Sequence, residues 1–243
     1  FWTKLIFAKR MMKKAREDKA VPEEVYAKKG SHCDDVTMTK VMFCDLSRIL
    51  RHPAGITECD LKECYDKMGH GPTSLVMQSW GIPRNACRIV LKALRLMQLC
   101  LRTGFGESEE MFGGTEGNPF GGSGQGSRWA PPGFGALSSI AVNAYKRAGD
   151  GARITTPHLG RVFLLAAVMY VDDTDLIHWG GDRNMGTKEL VAQVQEEVTD
   201  WGHMAHATGG SLKQPKCSVV FYGFKLMNGK YKLMAMADLP PPT

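Results

Sequence analysis

Long apolar runs are missing from this sequence. The longest spans 162–171, ten residues, whereas a helix crossing a bilayer needs about twenty. A membrane-spanning helix, and with it a membrane partner, is not expected. No two cysteines are spaced CxxC, and the seven present are an odd number without regular spacing. That argues against a disulfide framework or a zinc ribbon and for a reducing compartment, nucleus or cytoplasm, rather than secretion. The opening Phe1-Trp2-Thr3-Lys4 has no Met and no charged–apolar–small order of a signal peptide. Leu239-Pro240-Pro241-Pro242-Thr243 does not look like a finished end either, so a piece of a longer reading frame is expected. Internal repeats are absent. What is present is ordinary for a globular chain: 43% hydrophobic and 23% charged residues over 243 positions, enough to bury a core without staples.

Charge is uneven. The net value is +6, and residues 1–29 hold nine Lys or Arg against four Asp or Glu. A basic end suggests an anionic partner, nucleic acid first, through Lys9, Arg10, Lys13 and Lys14. The alternative is a solvated helix face.

Apolar spacing predicts helices over 3–19 (Leu5, Ile6, Met12 and Ala15 inward), 34–50 (Met38, Val41, Met42, Leu46 and Ile49 inward) and from Pro83 through Leu101. Further helices are expected over 138–147 and 188–206. Strands are expected over 56–61, 162–171, 176–179, 217–226 and 230–236, the last two joined by Asn228-Gly229. Helices and hairpins mix without regular βαβ repeats, which predicts an α+β fold with an antiparallel sheet.

The long apolar strand stops at Tyr170-Val171-Asp172-Asp173, which places two carboxylates at a hairpin tip. Adjacent carboxylates do not both stay ionised cheaply unless a cation or hydrogen bonds offset them. Magnesium takes one or two carboxylates and fills its shell with substrate phosphates. An Asp pair alone is equally a turn signal. Asp60 ends the earlier strand; it is either a third carboxylate of the cluster or the N-cap of a following helix. Residues 113–126 hold seven glycines in fourteen positions, ending in Gly124-Gln125-Gly126-Ser127 before Trp129 and Pro131-Pro132. That stretch is a backbone surface for a ligand or a linker. Trp129 is a base-stacking residue or a core residue. His203 and His206 share a helix face with Cys217 near in sequence, but no fourth zinc ligand is evident, and a structural role is expected.

The order of these parts resembles the reverse transcriptase domain of retroelements, especially non-LTR retrotransposons. Asp60-Leu61-Lys62-Glu63-Cys64-Tyr65-Asp66 resembles motif A, an aspartate followed by an aromatic residue five positions later. Gln125-Gly126 with Pro131 is similar to motif B, and Tyr170-Val171-Asp172-Asp173 to motif C. Gly210-Ser211-Leu212-Lys213 through Lys216 is similar to motif D, and Phe221-Tyr222-Gly223-Phe224 to motif E. Pro22-Glu23-Glu24-Val25-Tyr26, with Lys28-Lys29-Gly30, resembles a segment found before motif A.

The resemblance implies a palm with an antiparallel sheet and packed helices, partial helical fingers and no thumb. The implied layout is a fingers-side helical segment over 1–55, palm over 56–74, fingers and connecting helices over 75–120, and palm over 121–243. The implied activity is RNA-directed DNA synthesis from an RNA template, a DNA primer and deoxynucleoside triphosphates. Asp60, Asp172 and Asp173, with the Leu61 carbonyl, would hold Mg²⁺ or substituting Mn²⁺. Tyr65 would lie under the nucleotide sugar and exclude a 2′-hydroxyl. Gln125 and Gly126 would line the nucleotide pocket, and Lys216 would face the phosphates. One departure is Ala130, where the family usually has Ser before the motif B proline. The alternatives are a catalytically silent nucleic-acid-binding relic of the same fold and a structural domain with turn aspartates. A third, an RNA-directed RNA polymerase, is disfavoured by Tyr65.

Overall fold

The structure is a computed structural model describing residues 2–26, 30–124, 127, 129–148, 151–156, 159–181 and 185–239. The helices are α1 (Trp2–Glu17), α2 (Cys33–Leu50), α3 (His70–Ser79), α4 (Arg84–Arg95), α5 (Ala130–Ala148) and α6 (Thr187–Ala207). The strands are β1 (Ala54–Cys59), four two-residue strands β2 (Gln98–Leu99), β3 (Arg102–Thr103), β4 (Gly106–Glu107) and β5 (Phe112–Gly113), then β6 (Ala152–Thr155), β7 (Val162–Leu165), β8 (Ala167–Tyr170), β9 (Asp173–Trp179), β10 (Ser218–Tyr222), β11 (Phe224–Met227) and β12 (Lys230–Leu233). This is the expected α+β class. No helix among the described residues is long and apolar enough to cross a membrane.

The chain forms two compact units. The first comprises Phe1–Val21, Glu63–Ser138 and Thr208–Gly210; the second comprises Pro22–Lys62, Ser139–Ala207 and Ser211–Thr243.

The second unit is built on a four-stranded sheet in the order β10-β1-β9-β8, antiparallel throughout. Residues 24–26 extend it beyond β8: the Tyr26 N–H donates to the Met169 carbonyl at 2.8 Å and the Met169 N–H to that of Glu24 at 2.9 Å. That covers an edge that would otherwise expose unpaired backbone groups. One face of the sheet carries Ala54, Ile56, Val168, Ile177 and Trp179, which pack with Phe43 of α2. The Phe43 and Trp179 rings lie 5.7 Å apart. Alternation places Thr57 and His178 on the other face. There the Thr57 hydroxyl and His178 Nε2 are 2.8 Å apart, and His178 Nδ1 meets Glu197 of α6. Tyr145 of α5 donates to Glu197 at 2.9 Å, and the Gln193 amide donates to its other oxygen.

Several sequence expectations are corrected. The 162–171 run is two strands: β7 pairs with β6 and β8 with β9. At the break, Ala166 gives its carbonyl to the Ile177 N–H at 3.0 Å. The 217–226 strand likewise breaks at Gly223 into β10 and β11, and β11 pairs with β12 through the expected Asn228-Gly229 turn. The α2 stripe of Met38, Val41, Met42 and Ile49 faces outward, and Phe43 and Ser47 are buried instead. Helical spacing fits either stripe, and the apolar sheet face selects the one bearing Phe43. The helix after Pro83 ends at Arg95, before Met97 and Leu101, because the chain turns there and Gln98–Leu99 pairs with β5. In α1 the expected Ala15 is buried, together with Ala8 and Met11; Met12 is only half-buried, and the side chains of Leu5 and Ile6 lie outside the described ones.

Candidate active site

Asp60 and the Asp172-Asp173 turn lie at the same end of the sheet in the second unit. Tyr170 and Asp173 are paired partners of β8 and β9, so Val171 and Asp172 form a two-residue turn. Val171 has φ 60°, a left-handed conformation unfavourable for a β-branched residue, and it fixes the direction in which Asp172 leaves the sheet. Cys59, the last residue of β1, pairs with Thr174; Asp60, one residue on, therefore comes level with Asp173. Charge reports the same proximity. Asp173 is raised above the ordinary carboxylate pKa by burial first and then by the charges of Asp172 and Asp60, against the cations Lys40 and Lys216.

Asp60 is anchored by the segment that resembles motif D. Its carbonyl accepts from the Lys213 N–H at 2.8 Å, and Lys62 N–H donates to the Ser211 carbonyl at 2.8 Å. These bonds flank a bridge between Leu61 and Leu212 and leave the Leu61 carbonyl outside that pairing. The bridge also brings Lys216 to Asp60, with Nζ 3.4 Å from Oδ2. Asp60 and Asp173 open on a cleft of about 490 Å³ whose lining also includes Lys40, Glu58, Asp175 and Lys216.

Sequence reasoning missed Lys40, Glu58 and Asp175. Glu58 and Asp175 are direct cross-strand partners, a like-charge pairing that destabilises a sheet unless a cation sits between. Lys40 of α2 supplies it, 3.0 Å from Asp175 and 3.1 Å from Glu58. Burial opposes the Lys40 charge, but hydrogen bonds to Asp175 and Glu58 outweigh it and raise its pKa. Glu58 is lowered by its hydrogen bonds from Lys40 and from Ser218, the latter at 2.9 Å. Burial dominates at Asp175 and raises it despite Lys40. A sequence signal did exist for the two acids: they lie two positions from Asp60 and Asp173 and so share their face of the strand. Lys40, on a helix far along the chain, gave none.

Tyr65 belongs to the first unit; its ring packs edge-on against Phe134 at 5.8 Å, and its carbonyl accepts from Ser123 N–H at 2.8 Å. Gln125 and Gly126 lie outside the described residues. Trp129, expected among the nucleic-acid contacts, is completely buried at the start of α5, and a ring without an exposed face cannot stack on a base. Lys9, Arg10, Lys13 and Lys14 are exposed on α1, with Lys14 held 2.7 Å from Asp18. His203 and His206 are exposed, and His203 lies 3.9 Å from Asp200. Among the described residues no three His, Cys, Asp or Glu side chains close around a point as a metal cage does.

No family model matches the chain, and no curated protein matches its sequence. Solved structures do. The chain is similar to telomerase from Candida albicans in complex with the TWJ fragment of telomeric RNA: TM-score 0.57, 14% identity, 86% of this chain and 33% of that one. Telomerase from Candida tropicalis, in complex with the same kind of fragment, gives a TM-score of 0.58 at 11% identity, over 88% of this chain and 32% of that one. Apo telomerase from Candida tropicalis gives 0.55 at 12% identity, over 89% and 35%. The fold is thus reverse-transcriptase-like, and the chain spans about a third of the length of these telomerases.

Proposed function

We propose that the chain is a reverse transcriptase domain of retroelement type, adding deoxynucleotides to the 3′-hydroxyl of a DNA primer on an RNA template. The meeting of Asp60 with the Asp172-Asp173 turn, in a fold shared with telomerases, carries this reading. The ordered resemblance to motifs A to E supports the retroelement assignment. The binding of telomeric RNA by two of the structural neighbours supports nucleic acid as partner.

The donor set fits a hard divalent cation. It consists of oxygen ligands, and the Asp173 pKa, raised by burial first and then by the charges of Asp172 and Asp60, marks a place where a cation favours the ionised form. The open arrangement suits Mg²⁺, which completes its shell with substrate phosphates rather than a protein cage. Asp60, Asp172, Asp173 and the Leu61 carbonyl would hold Mg²⁺, with Mn²⁺ as substitute. Bound there, it would supply charge stabilisation at the attacking and leaving oxygens. The chain's own part is positioning. The strained turn aims Asp172, the bridge at Leu61 fixes Asp60, and Lys216 stands beside Asp60 with its ammonium directed at the cleft that phosphates would enter. Tyr65 would screen the sugar of the incoming nucleotide.

The test is extension of a DNA primer annealed to RNA, with deoxynucleotides and Mg²⁺, by the native chain and by Asp172→Ala. Extension by the native chain alone is expected. Nucleic-acid binding without extension would replace this reading with the silent relic.

A further inference from the structure

The first unit holds fourteen Lys and Arg against eight Asp and Glu, whereas the second has seventeen of each. The whole net charge of +6 therefore resides in the unit that lacks the carboxylate site. Residues 1–21 contribute five of those six charges, whereas α4 carries four cations and no acid of its own. Arg84, Arg88, Lys92 and Arg95 follow one another at intervals of four, four and three, so they project from one helix face, over about 16 Å at the helical rise. All four are exposed. None forms an ion pair among the described residues.

The adjoining stripe of α4, Cys87, Val90, Leu91 and Leu94, is buried, and Leu91 at its border also lines the cleft beside the cations. An amphipathic helix explains polar residues on the outer face but not their single sign. It does not explain their concavity either: the four cations line a cleft of about 570 Å³ with His70 and Ser74 of α3, and among the described residues Glu116 is the only acid in its lining. Leu96 and Pro119 add apolar surface to the same wall.

We propose that this cleft is a groove for single-stranded nucleic acid, with the α4 cations on consecutive phosphates. Guanidinium groups match phosphate oxygens bidentately. Cations three and four residues apart stand about 6 Å from one another, of the order of the phosphate spacing in an extended strand. A concave wall with apolar patches among cations accepts the sugars and bases of one strand, whereas a duplex would require a longer and flatter basic surface. The groove rests on the polymerase reading only for its biological strand, the template.

The test is the fluorescence anisotropy of a labelled oligouridylate of about a dozen nucleotides, a length within the range such grooves occupy. It is measured against salt in EDTA, so that the carboxylate site takes no part. The Arg84→Gln/Arg88→Gln double variant is expected to bind at least about tenfold more weakly at low salt. Its log–log salt slope should be shallower by about 1.4, two phosphate contacts on a single strand. Lys230→Gln/Lys232→Gln, on the exposed β12 of the second unit, is the control and should bind as the native chain does. The groove is overturned if the native chain does not bind, if it binds only duplex, if the double variant keeps the native affinity and slope, or if the control loses as much. Failure of the polymerase reading looks different: primer extension is absent while the double variant still weakens binding.

Discussion

Glu197→Ala should unfold the second unit far more readily than any surface change. Glu197 is 3% exposed and accepts from Tyr145, His178 and Gln193. Removing it takes this acceptor from the buried donors of His178 and Gln193, each worth about 1–3 kcal/mol when unsatisfied, and breaks a buried pair whose loss typically costs about 3–5 kcal/mol. The contributions overlap, so the expected loss is about 3–5 kcal/mol, a large share of a domain stability of about 5–15 kcal/mol. Urea unfolding followed by the fluorescence of Trp201, whose ring packs against Tyr145 at 5.9 Å, reads it. The pH dependence adds a second signature. Burial pushes the Glu197 carboxyl up, but its hydrogen bonds from His178, Gln193 and Tyr145 and the His178 charge hold it below its ordinary 4.5. A carboxyl lowered in the folded state stabilises fully above its unfolded pKa, and that stability drains away as pH falls through the folded pKa. The native chain should therefore lose stability below about pH 4.5 more steeply than Glu197→Gln, which has nothing to titrate there. A loss under about 1 kcal/mol for Glu197→Ala, the cost of an ordinary hydrogen bond, or identical acid limbs would refute the reasoning.

Two further outcomes follow from the cleft. Lys40→Met leaves Glu58 and Asp175 facing each other without a cation. It should cost about 1–3 kcal/mol at neutral pH, a loss that shrinks in acid as Asp175, already raised by burial, takes up a proton. Urea midpoints at the two pH values check it, and a pH-independent loss would contradict it. Val171→Gly removes the side chain from a φ of 60°, where a β-branched residue is strained by about 1–3 kcal/mol. Greater freedom of the unfolded chain offsets part of that relief. Thermal unfolding should show unchanged or slightly raised stability; a loss above about 1 kcal/mol would mean the turn is not strained.

How much was legible in the sequence depended on the range of the cause. The carboxylate turn was visible because an apolar run ends abruptly on Asp172-Asp173. Asp60 was visible as the polar end of a strand, although that strand starts at Ala54 and stops at Cys59. α3 is not among the expected helices: Gly71 and Pro72 disfavour a helix interior, but in a first helical turn the missing proline N–H leaves no bond unmade. The same holds for Pro131 and Pro132, which lie in the first turn of α5. The α2 face was misjudged because two apolar stripes compete on one helix, and only the tertiary partner decides between them. The Thr57–His178–Glu197–Tyr145 network left no local trace: its members come from two strands and two helices, and each is polar within an otherwise apolar pattern.

Templated addition is the most direct measurement. The chain would be given a DNA primer on RNA of defined sequence, Mg²⁺ and one deoxynucleotide at a time, in parallel with Asp60→Asn and Asp172→Asn. The expected result is addition of the complementary nucleotide alone by the native chain and none by either variant. Addition regardless of template, or equal addition by the variants, would contradict the assignment of Asp60 and Asp172 to the chemistry.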